Sequence, residues 1–125
     1  MVQSDIAQLS GECTEWRENL RNQREELNQC KRRLQETVTH TLSKEDFTEV
    51  EHYHNQFHIQ LINIHDIKQA IKQHERRVNF ELSKNDAVSE ETLAIHEILF
   101  GQFQQMENTL EELRREFDDF SVRTQ

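Results

Sequence analysis

The sequence predicts an all-α fold, an elongated antiparallel three-helix bundle with coiled-coil-like packing. Proline is absent from the 125 residues and only two glycines occur, which argues against a loop-rich or β-rich fold. Apolar residues recur at alternating steps of three and four along most of the chain, the heptad spacing of helices that pack lengthwise. Two short segments, at 37–43 and 83–89, either break the heptad spacing or contain residues that are unfavourable inside a helix. These segments predict two turns.

The first helix is predicted over residues 4–40, with Ser4 as its N-cap. It ends at a run of β-branched residues with poor helix propensity, Thr37 to Thr41. Charged residues of both signs cover the remaining face, which we expect to be solvated. The predicted core positions are Ile6, Leu9, Cys13, Trp16, Leu20, Gln23, Leu27, Cys30 and Leu34.

The middle helix is predicted over residues 43–83, which contain neither glycine nor proline. Ser43 is a predicted N-cap, and Leu42 and Phe47 have the spacing of a hydrophobic staple around it. At 1.5 Å per residue the helix would be roughly 60 Å long. Its predicted core positions are Phe47, Val50, His54, Phe57, Leu61, Ile64, Lys68, Ile71, Glu75, Val78 and Leu82.

The third helix is predicted over residues 89–121, with Ser89 in the N-cap position and another hydrophobic staple around it. The heptad phase is not broken between the second and third helices, so a continuous helix through 83–89 is the alternative. The predicted core positions are His96, Leu99, Phe103, Met106, Leu110, Leu113, Phe117 and Phe120.

Two tight turns between helices of similar length predict an up-down-up bundle, with residues 1–125 forming a single domain. Folding the chain at these turns aligns particular core positions. We expect Leu27 to share a layer with Phe57 and Phe117. Another layer is expected to contain Trp16, Lys68 and Met106.

The charge and the cysteines limit the class of protein. A net charge of −9 opposes unspecific binding to nucleic acid or to anionic lipid. No run of 18 apolar residues is present, so a membrane span is not predicted, and the first residues do not have the pattern of a secretory signal. Cys13 and Cys30 fall on the apolar side of one helix, too far apart to bridge each other, which favours a reducing, cytoplasmic compartment.

An enzyme is not expected. The sequence has no nucleophile–base–acid set, no glycine-rich phosphate loop and no CxxC pair, and its turns are too short to form a lid. No cofactor is predicted either. The preferred function is a non-catalytic interaction or scaffolding bundle.

The histidines suggest an alternative function, a metal-binding or pH-responsive bundle. Five of the seven histidines lie in the middle helix. Glu51 and His54 have the Glu-x-x-His spacing of di-iron carboxylate bundles, His58 lies one turn further, and Cys30 is expected at the level of His54. These residues would supply only half of the ligands that such a site needs. His54 and His96, both at predicted core positions, are the candidates for pH sensing.

Apolar residues outside the core positions suggest where a partner binds. Ile59 and Ile62 lie on the outward side of the middle helix and are difficult to bury within three helices. An exposed apolar pair on a helical rod predicts contact with a protein partner or with a second copy, and we expect a homodimer.

Overall fold

The computed structural model describes residues 2–39 and 42–124, with side chains described from residue 7 onward. It contains three helices, α1 (Val2–Thr37), α2 (Lys44–Asn85) and α3 (Glu90–Thr124). No strand occurs among these residues. The helices pack side by side, with α1 parallel to α3 and α2 antiparallel to both. The predicted fold class, a three-helix bundle, is therefore confirmed.

The ends of α1 differ from the prediction. The helix already includes Val2, so Ser4 lies within its first turns and is not an N-cap. At the other end α1 stops at Thr37, whose hydroxyl donates a hydrogen bond to the Arg33 carbonyl at 3.0 Å. This end is three residues earlier than predicted, and His40 lies outside the described residues.

Ser43 is the N-cap of α2, as predicted. Its backbone is extended, with φ −67° and ψ 165°, and its Oγ accepts a hydrogen bond from the Asp46 N–H at 3.1 Å. This bond satisfies one of the amide groups that have no partner within the first turn of a helix. The expected staple is incomplete, because Leu42 is partly buried against the core whereas Phe47 is 53% exposed.

Residues 86–89 form a turn, and the alternative of a continuous helix is wrong. Asp86 ends α2 in the left-handed conformation, with φ 56°, and its N–H donates to the Leu82 carbonyl at 3.1 Å. An aspartate tolerates this backbone conformation better than most residues. Ser89 then caps α3, because its Oγ accepts a hydrogen bond from the Thr92 N–H at 3.2 Å.

Glu81 joins the end of α2 to the start of α3. Its carboxylate accepts hydrogen bonds from the Thr92 hydroxyl at 2.5 Å, from the Ser89 N–H at 2.7 Å and from Arg77 Nε at 3.1 Å. The bonds from Thr92 and Ser89 lower the pKa of Glu81 to about 2. The carboxylate is thus held ionised at the first turn of α3, where a negative charge also complements the helix dipole.

The core positions of α1 and α3 are close to those predicted. In both helices the buried residues follow the steps of three and four read from the sequence. Thr92, at the start of α3, extends the series and is fully buried. The buried apolar residues of the two helices are Leu9, Cys13, Trp16, Leu20, Leu27, Cys30, Leu34, Leu99, Phe103, Met106, Leu110, Leu113, Phe117 and Phe120.

In α2, by contrast, three of the eleven predicted core positions are wrong by one residue. Val50, Phe57, Ile64, Ile71 and Val78 are buried as predicted. At three of the four positions between them, however, the structure buries the residue that precedes the predicted one, and at the fourth both Lys68 and the preceding Ile67 are partly buried. Tyr53, Gln60 and His74 are thus buried in place of His54, Leu61 and Glu75, whose positions were predicted to be internal.

The error has a geometric reason. Between two buried residues that are seven positions apart, a third buried residue can lie either three or four positions after the first. Both positions are on the same side of a helix, so the sequence alone does not choose between them. In this bundle the alternatives face different neighbours. His74 contacts His96 of α3, whereas Glu75 forms an ion pair with Arg17 of α1 at 2.7 Å.

Two aromatic residues predicted to share a layer are in contact, whereas Trp16 contacts an aromatic residue outside its predicted layer. The rings of Phe57 and Phe117 meet edge to face with centroids 5.1 Å apart, and both rings are fully buried, as is Leu27. At the opposite end Trp16 stacks on Phe103, with centroids 5.8 Å apart. Met106, which was expected at the level of Trp16, lies about one turn further along α3.

The outer surfaces of the helices are polar and are linked by ion pairs. Arg33 of α1 approaches Asp118 of α3 at 2.8 Å, and Arg123 of α3 approaches Glu49 of α2 at 2.7 Å. Such exposed pairs contribute little stability each and mainly favour one register over others. Among the described helices, none combines the length and the apolar character needed to cross a membrane.

Truncating Phe117 should test the importance of the contact between Phe57 and Phe117. Because the ring is fully buried against Phe57, we expect Phe117→Ala to lower the free energy of unfolding by about 3–5 kcal/mol, measured by urea denaturation. Phe80→Ala is the control, since Phe80 is 61% exposed and its loss should change the stability by less than about 0.5 kcal/mol. Equal losses in the two variants would contradict the assignment of this contact to the core.

Candidate functional site

The residues of the predicted metal site do not converge. Glu51, His54 and His58 are exposed on α2, whereas Cys30 is buried in α1. His54 lies at the edge of a surface groove between α1 and α2 together with Glu51. Because Tyr53 takes the buried position that the prediction gave to His54, the histidine faces solvent. A metal site formed by these four residues therefore remains a prediction, and the structure does not favour it.

A different set of side chains converges inside the bundle. Cys13 of α1, His74 of α2 and His96 of α3 each place one ligand atom within 4.8 Å of the others. Cys13 is 1% exposed and each histidine 3% exposed. Each helix contributes one residue, because all three lie at core positions of the same level. We call this set the Cys13–His74–His96 cluster.

The two histidines of the cluster form a hydrogen bond across the α2–α3 contact. His74 Nε2 lies 2.9 Å from His96 Nδ1, so one nitrogen donates and the other accepts. The remaining nitrogens, His74 Nδ1 and His96 Nε2, are buried without a hydrogen-bond partner among the described residues. An unpaired buried polar atom is costly, so the hydrogen-bonded pair leaves one ring nitrogen of each histidine unsatisfied inside the bundle.

Trp16 covers one side of the cluster. Its ring stacks on His96 with centroids 4.7 Å apart, and it also stacks on Phe103 and on Phe100. Stacking restricts the orientation of the His96 ring, which leaves His96 Nε2 at 3.7 Å from the Glu12 carboxylate. The imidazole is therefore held between an apolar surface and an acid.

The surroundings of Cys13 and His74 favour their uncharged forms. Burial raises the pKa of the Cys13 thiol to about 12, and the carboxylates of Glu75 and Glu12 add to the rise. Burial also lowers the pKa of His74, and the neighbouring His96 and Arg77 lower it further, against the opposing effect of Glu81. Removal from water disfavours the charged forms, so the Cys13 thiol keeps its proton and the His74 imidazole stays neutral.

Sequence reasoning found one of the two histidines in this cluster. His96 was predicted at a core position, and the structure buries it. His74 was assigned to the solvent because Glu75 was taken as the core position. One signal was available, since His74 lies three residues after Ile71 and four before Val78, a spacing that fits a buried stripe as well as Glu75 does.

The predicted contact residues, Ile59 and Ile62, are exposed on the outward side of α2, at 45% and 48%. They are the central members of a line of exposed residues that runs along the helix, which we call the outer stripe. It continues in both directions at steps of three and four. Its members are Glu45, Thr48, His52, Asn55, Ile59, Ile62, Asp66, Gln69, Gln73 and Arg76.

The charges on the outer stripe are distributed unevenly along α2. Glu45 lies at its N-terminal end and Arg76 at its C-terminal end, at equal distances in sequence from the midpoint between Ile59 and Ile62. The residues between them are uncharged apart from Asp66 and any protonated His52. The stripe is thus acidic at one end, apolar at its centre and basic at the other end.

Comparisons with protein-family models, curated proteins and solved structures find no match to this chain. The functional argument therefore depends on the outer stripe and on the Cys13–His74–His96 cluster.

The lowered pKa of His74 predicts acid sensitivity. An unfolded histidine has a pKa near 6.5, so below that pH the unfolded chain binds a proton that buried His74 resists. The stability is therefore fully present above pH 6.5 and is lost as the pH falls, with a slope of at most about 1.4 kcal/mol per pH unit from this residue. Urea unfolding midpoints between pH 8 and about 5.5 in chelator-treated buffer measure this change.

Two variants separate His74 from the other histidines. His74→Gln should reduce the pH dependence, because it removes the buried imidazole, although it also weakens the fold at every pH. His65→Gln is the matched control, since His65 is exposed on the same helix and its loss should leave the slope unchanged. A midpoint that stays constant over this pH range in the unsubstituted protein would contradict the prediction.

Proposed function

We propose that this chain is a non-catalytic helical scaffold that self-associates through the outer stripe of α2. The observation that carries the proposal is the symmetric arrangement of that stripe. Two copies of α2 that cross antiparallel, with Ile59 of one copy opposite Ile62 of the other, also place Glu45 of each copy opposite Arg76 of the other. A self-complementary surface of this kind is what a two-fold symmetric dimer requires.

The central isoleucines supply the apolar part of this contact. Four side chains, two from each copy, would lose the 45% and 48% of their surface that water now contacts. Burying the exposed half of one isoleucine is worth about 1 kcal/mol, so the four together contribute about 4 kcal/mol. Association itself costs a comparable amount. We therefore expect a reversible dimer whose population depends on concentration.

The charged ends of the stripe determine the orientation of the two copies. In an antiparallel pair Glu45 and Arg76 attract each other at both ends, whereas a parallel pair would place like charges together. Each exposed pair of opposite charges adds little energy. The repulsion between like charges, however, disfavours the parallel arrangement. The net charge of −9 per chain also opposes association, so a moderate salt concentration should favour the dimer.

We further propose a reducing, cytoplasmic setting. Cys13 and Cys30 are both free and both buried, and they lie on the same helix too far apart to pair. Structural disulfides, which are common in oxidising compartments, would have required different positions.

Replacing the central isoleucines tests the proposed interface. Ile59→Glu together with Ile62→Glu should weaken self-association by roughly 100-fold or more, because four charges would have to be buried in one contact. Sedimentation velocity over a wide range of protein concentration measures the change. Ile98→Glu is the matched control, since Ile98 is 60% exposed on α3 and lies outside the stripe, so it should leave the dimer intact.

A charge exchange tests the antiparallel register. Glu45→Arg alone and Arg76→Glu alone should each weaken the dimer, because each places like charges opposite one another. The double variant Glu45→Arg/Arg76→Glu should recover most of the association, because both pairs become attractive again. Circular dichroism confirms that each variant is folded, since Glu45 also lies in the first turn of α2.

Two outcomes would contradict self-association through this stripe. One is an unsubstituted chain that remains monomeric at the highest concentration, which would leave the exposed isoleucines to a partner of different sequence. The other is a dimer that persists unchanged in the Ile59→Glu/Ile62→Glu variant. In that case the contact would lie elsewhere on the bundle.

A further inference from the structure

The Cys13–His74–His96 cluster has the composition of a transition-metal site. A thiolate and two imidazoles are ligands that Zn²⁺ prefers, with Zn–S near 2.3 Å and Zn–N near 2.0–2.1 Å. All three ligand atoms lie within 4.8 Å of one another, so an ion between them could reach each with small side-chain rotations. We propose that Cys13, His74 and His96 bind a divalent transition metal of the zinc class, with three protein ligands and a fourth position for water.

The histidine nitrogens are close to the spacing that such an ion needs. Two imidazole ligands of one tetrahedral ion are about 3.3 Å apart at ordinary Zn–N lengths. His74 Nε2 and His96 Nδ1 are now 2.9 Å apart, joined by a hydrogen bond. Binding would replace that hydrogen bond by two metal–nitrogen bonds and would separate the rings only slightly.

The surroundings of His96 resemble those of a metal-bound histidine. If His96 coordinates through Nδ1, its Nε2 carries the proton and faces the Glu12 carboxylate, 3.7 Å away. A carboxylate that accepts the second N–H of a ligating histidine is a common feature of zinc sites. In the hydrogen-bonded pair this Nε2 has no partner within bonding distance among the described residues. A small movement of Glu12 would supply one.

The charge around the cluster favours a cation. Burial and, to a smaller extent, the carboxylates of Glu75 and Glu12 raise the pKa of Cys13 and disfavour a bare thiolate, against the opposing effect of Arg17. The two carboxylates favour a dication at this place, and a bound dication would in turn stabilise the thiolate. Metal binding therefore releases the proton of the Cys13 thiol to solvent, and affinity should rise with pH.

An ion can reach Cys13 from the surface. A recess of about 80 Å³ between α1 and α2 includes Cys13 in its lining, together with Glu75. The remaining lining residues are Leu9, Ser10, Thr14, Val78 and Asn79. A water molecule occupies about 30 Å³ of liquid, so the recess is large enough for the water that would complete the coordination.

Cobalt titration of the metal-stripped, full-length chain without a histidine tag tests the site. A Co²⁺ ion bound by Cys13 should give a thiolate-to-cobalt charge-transfer band in the near ultraviolet, saturating at one ion per chain. Zn²⁺ should displace the cobalt, abolish the band and raise the thermal unfolding midpoint. Absence of the charge-transfer band in the unsubstituted protein would overturn the proposal.

Matched variants locate the ion. Cys13→Ser should abolish the charge-transfer band, whereas Cys30→Ser should retain it, since both are buried thiols on α1. His96→Gln should weaken the binding of Co²⁺, and His54→Gln/His58→Gln, on the exposed face, should not. A band that survives Cys13→Ser and disappears in Cys30→Ser would overturn the assignment. Cobalt that binds without charge transfer and is lost in His54→Gln/His58→Gln would indicate only a surface histidine site and would equally overturn it.

Discussion

Each helix of a three-helix bundle has to contact two neighbours at once, and this requirement decides which residues of α2 are buried. The residues common to both contacts, such as Phe57 and Ile71, are fully buried. On either side of them, consecutive residues face different helices. His74 contacts α3, and Glu75 pairs with Arg17 of α1. The apolar side of α2 is therefore broader than a two-residue heptad stripe.

This breadth also explains why the two ends of the bundle differ. At one end Tyr53 fills the α2–α3 contact with an aromatic ring and donates its hydroxyl hydrogen bond to the Glu116 carbonyl at 3.2 Å. At the other end the equivalent position of α2 is His74, three heptads later. Its ring nitrogens need partners that an apolar neighbour cannot supply, so His96 and Cys13 form a polar cluster inside the core.

The sequence was sufficient to predict three helices, their order and the buried sides of α1 and α3, because those sides follow one unambiguous heptad phase. It was not sufficient for α2, where Tyr53 or His54, and His74 or Glu75, satisfy the same spacing. Only the positions of the neighbouring helices distinguish these choices. The predicted metal site failed to converge for this reason, and His74 was missed for the same reason.

The outer stripe and the buried cluster lie on opposite sides of α2 but depend on the same property of that helix. The pairing of Glu45 with Arg76 in a second copy requires the course of α2 to be maintained over about 46 Å, the length of 31 residues, with the slight supercoil that keeps a heptad stripe on one side. His74 lies only two residues before Arg76, at the basic end of the stripe. A metal that fixes His74 to α1 and α3 would therefore hold that end of α2 in place. Ion binding would then stabilise the geometry of the proposed dimer without contributing an atom to its interface. The proposed dimer would leave the recess beside Cys13 open, because that recess lies between α1 and α2.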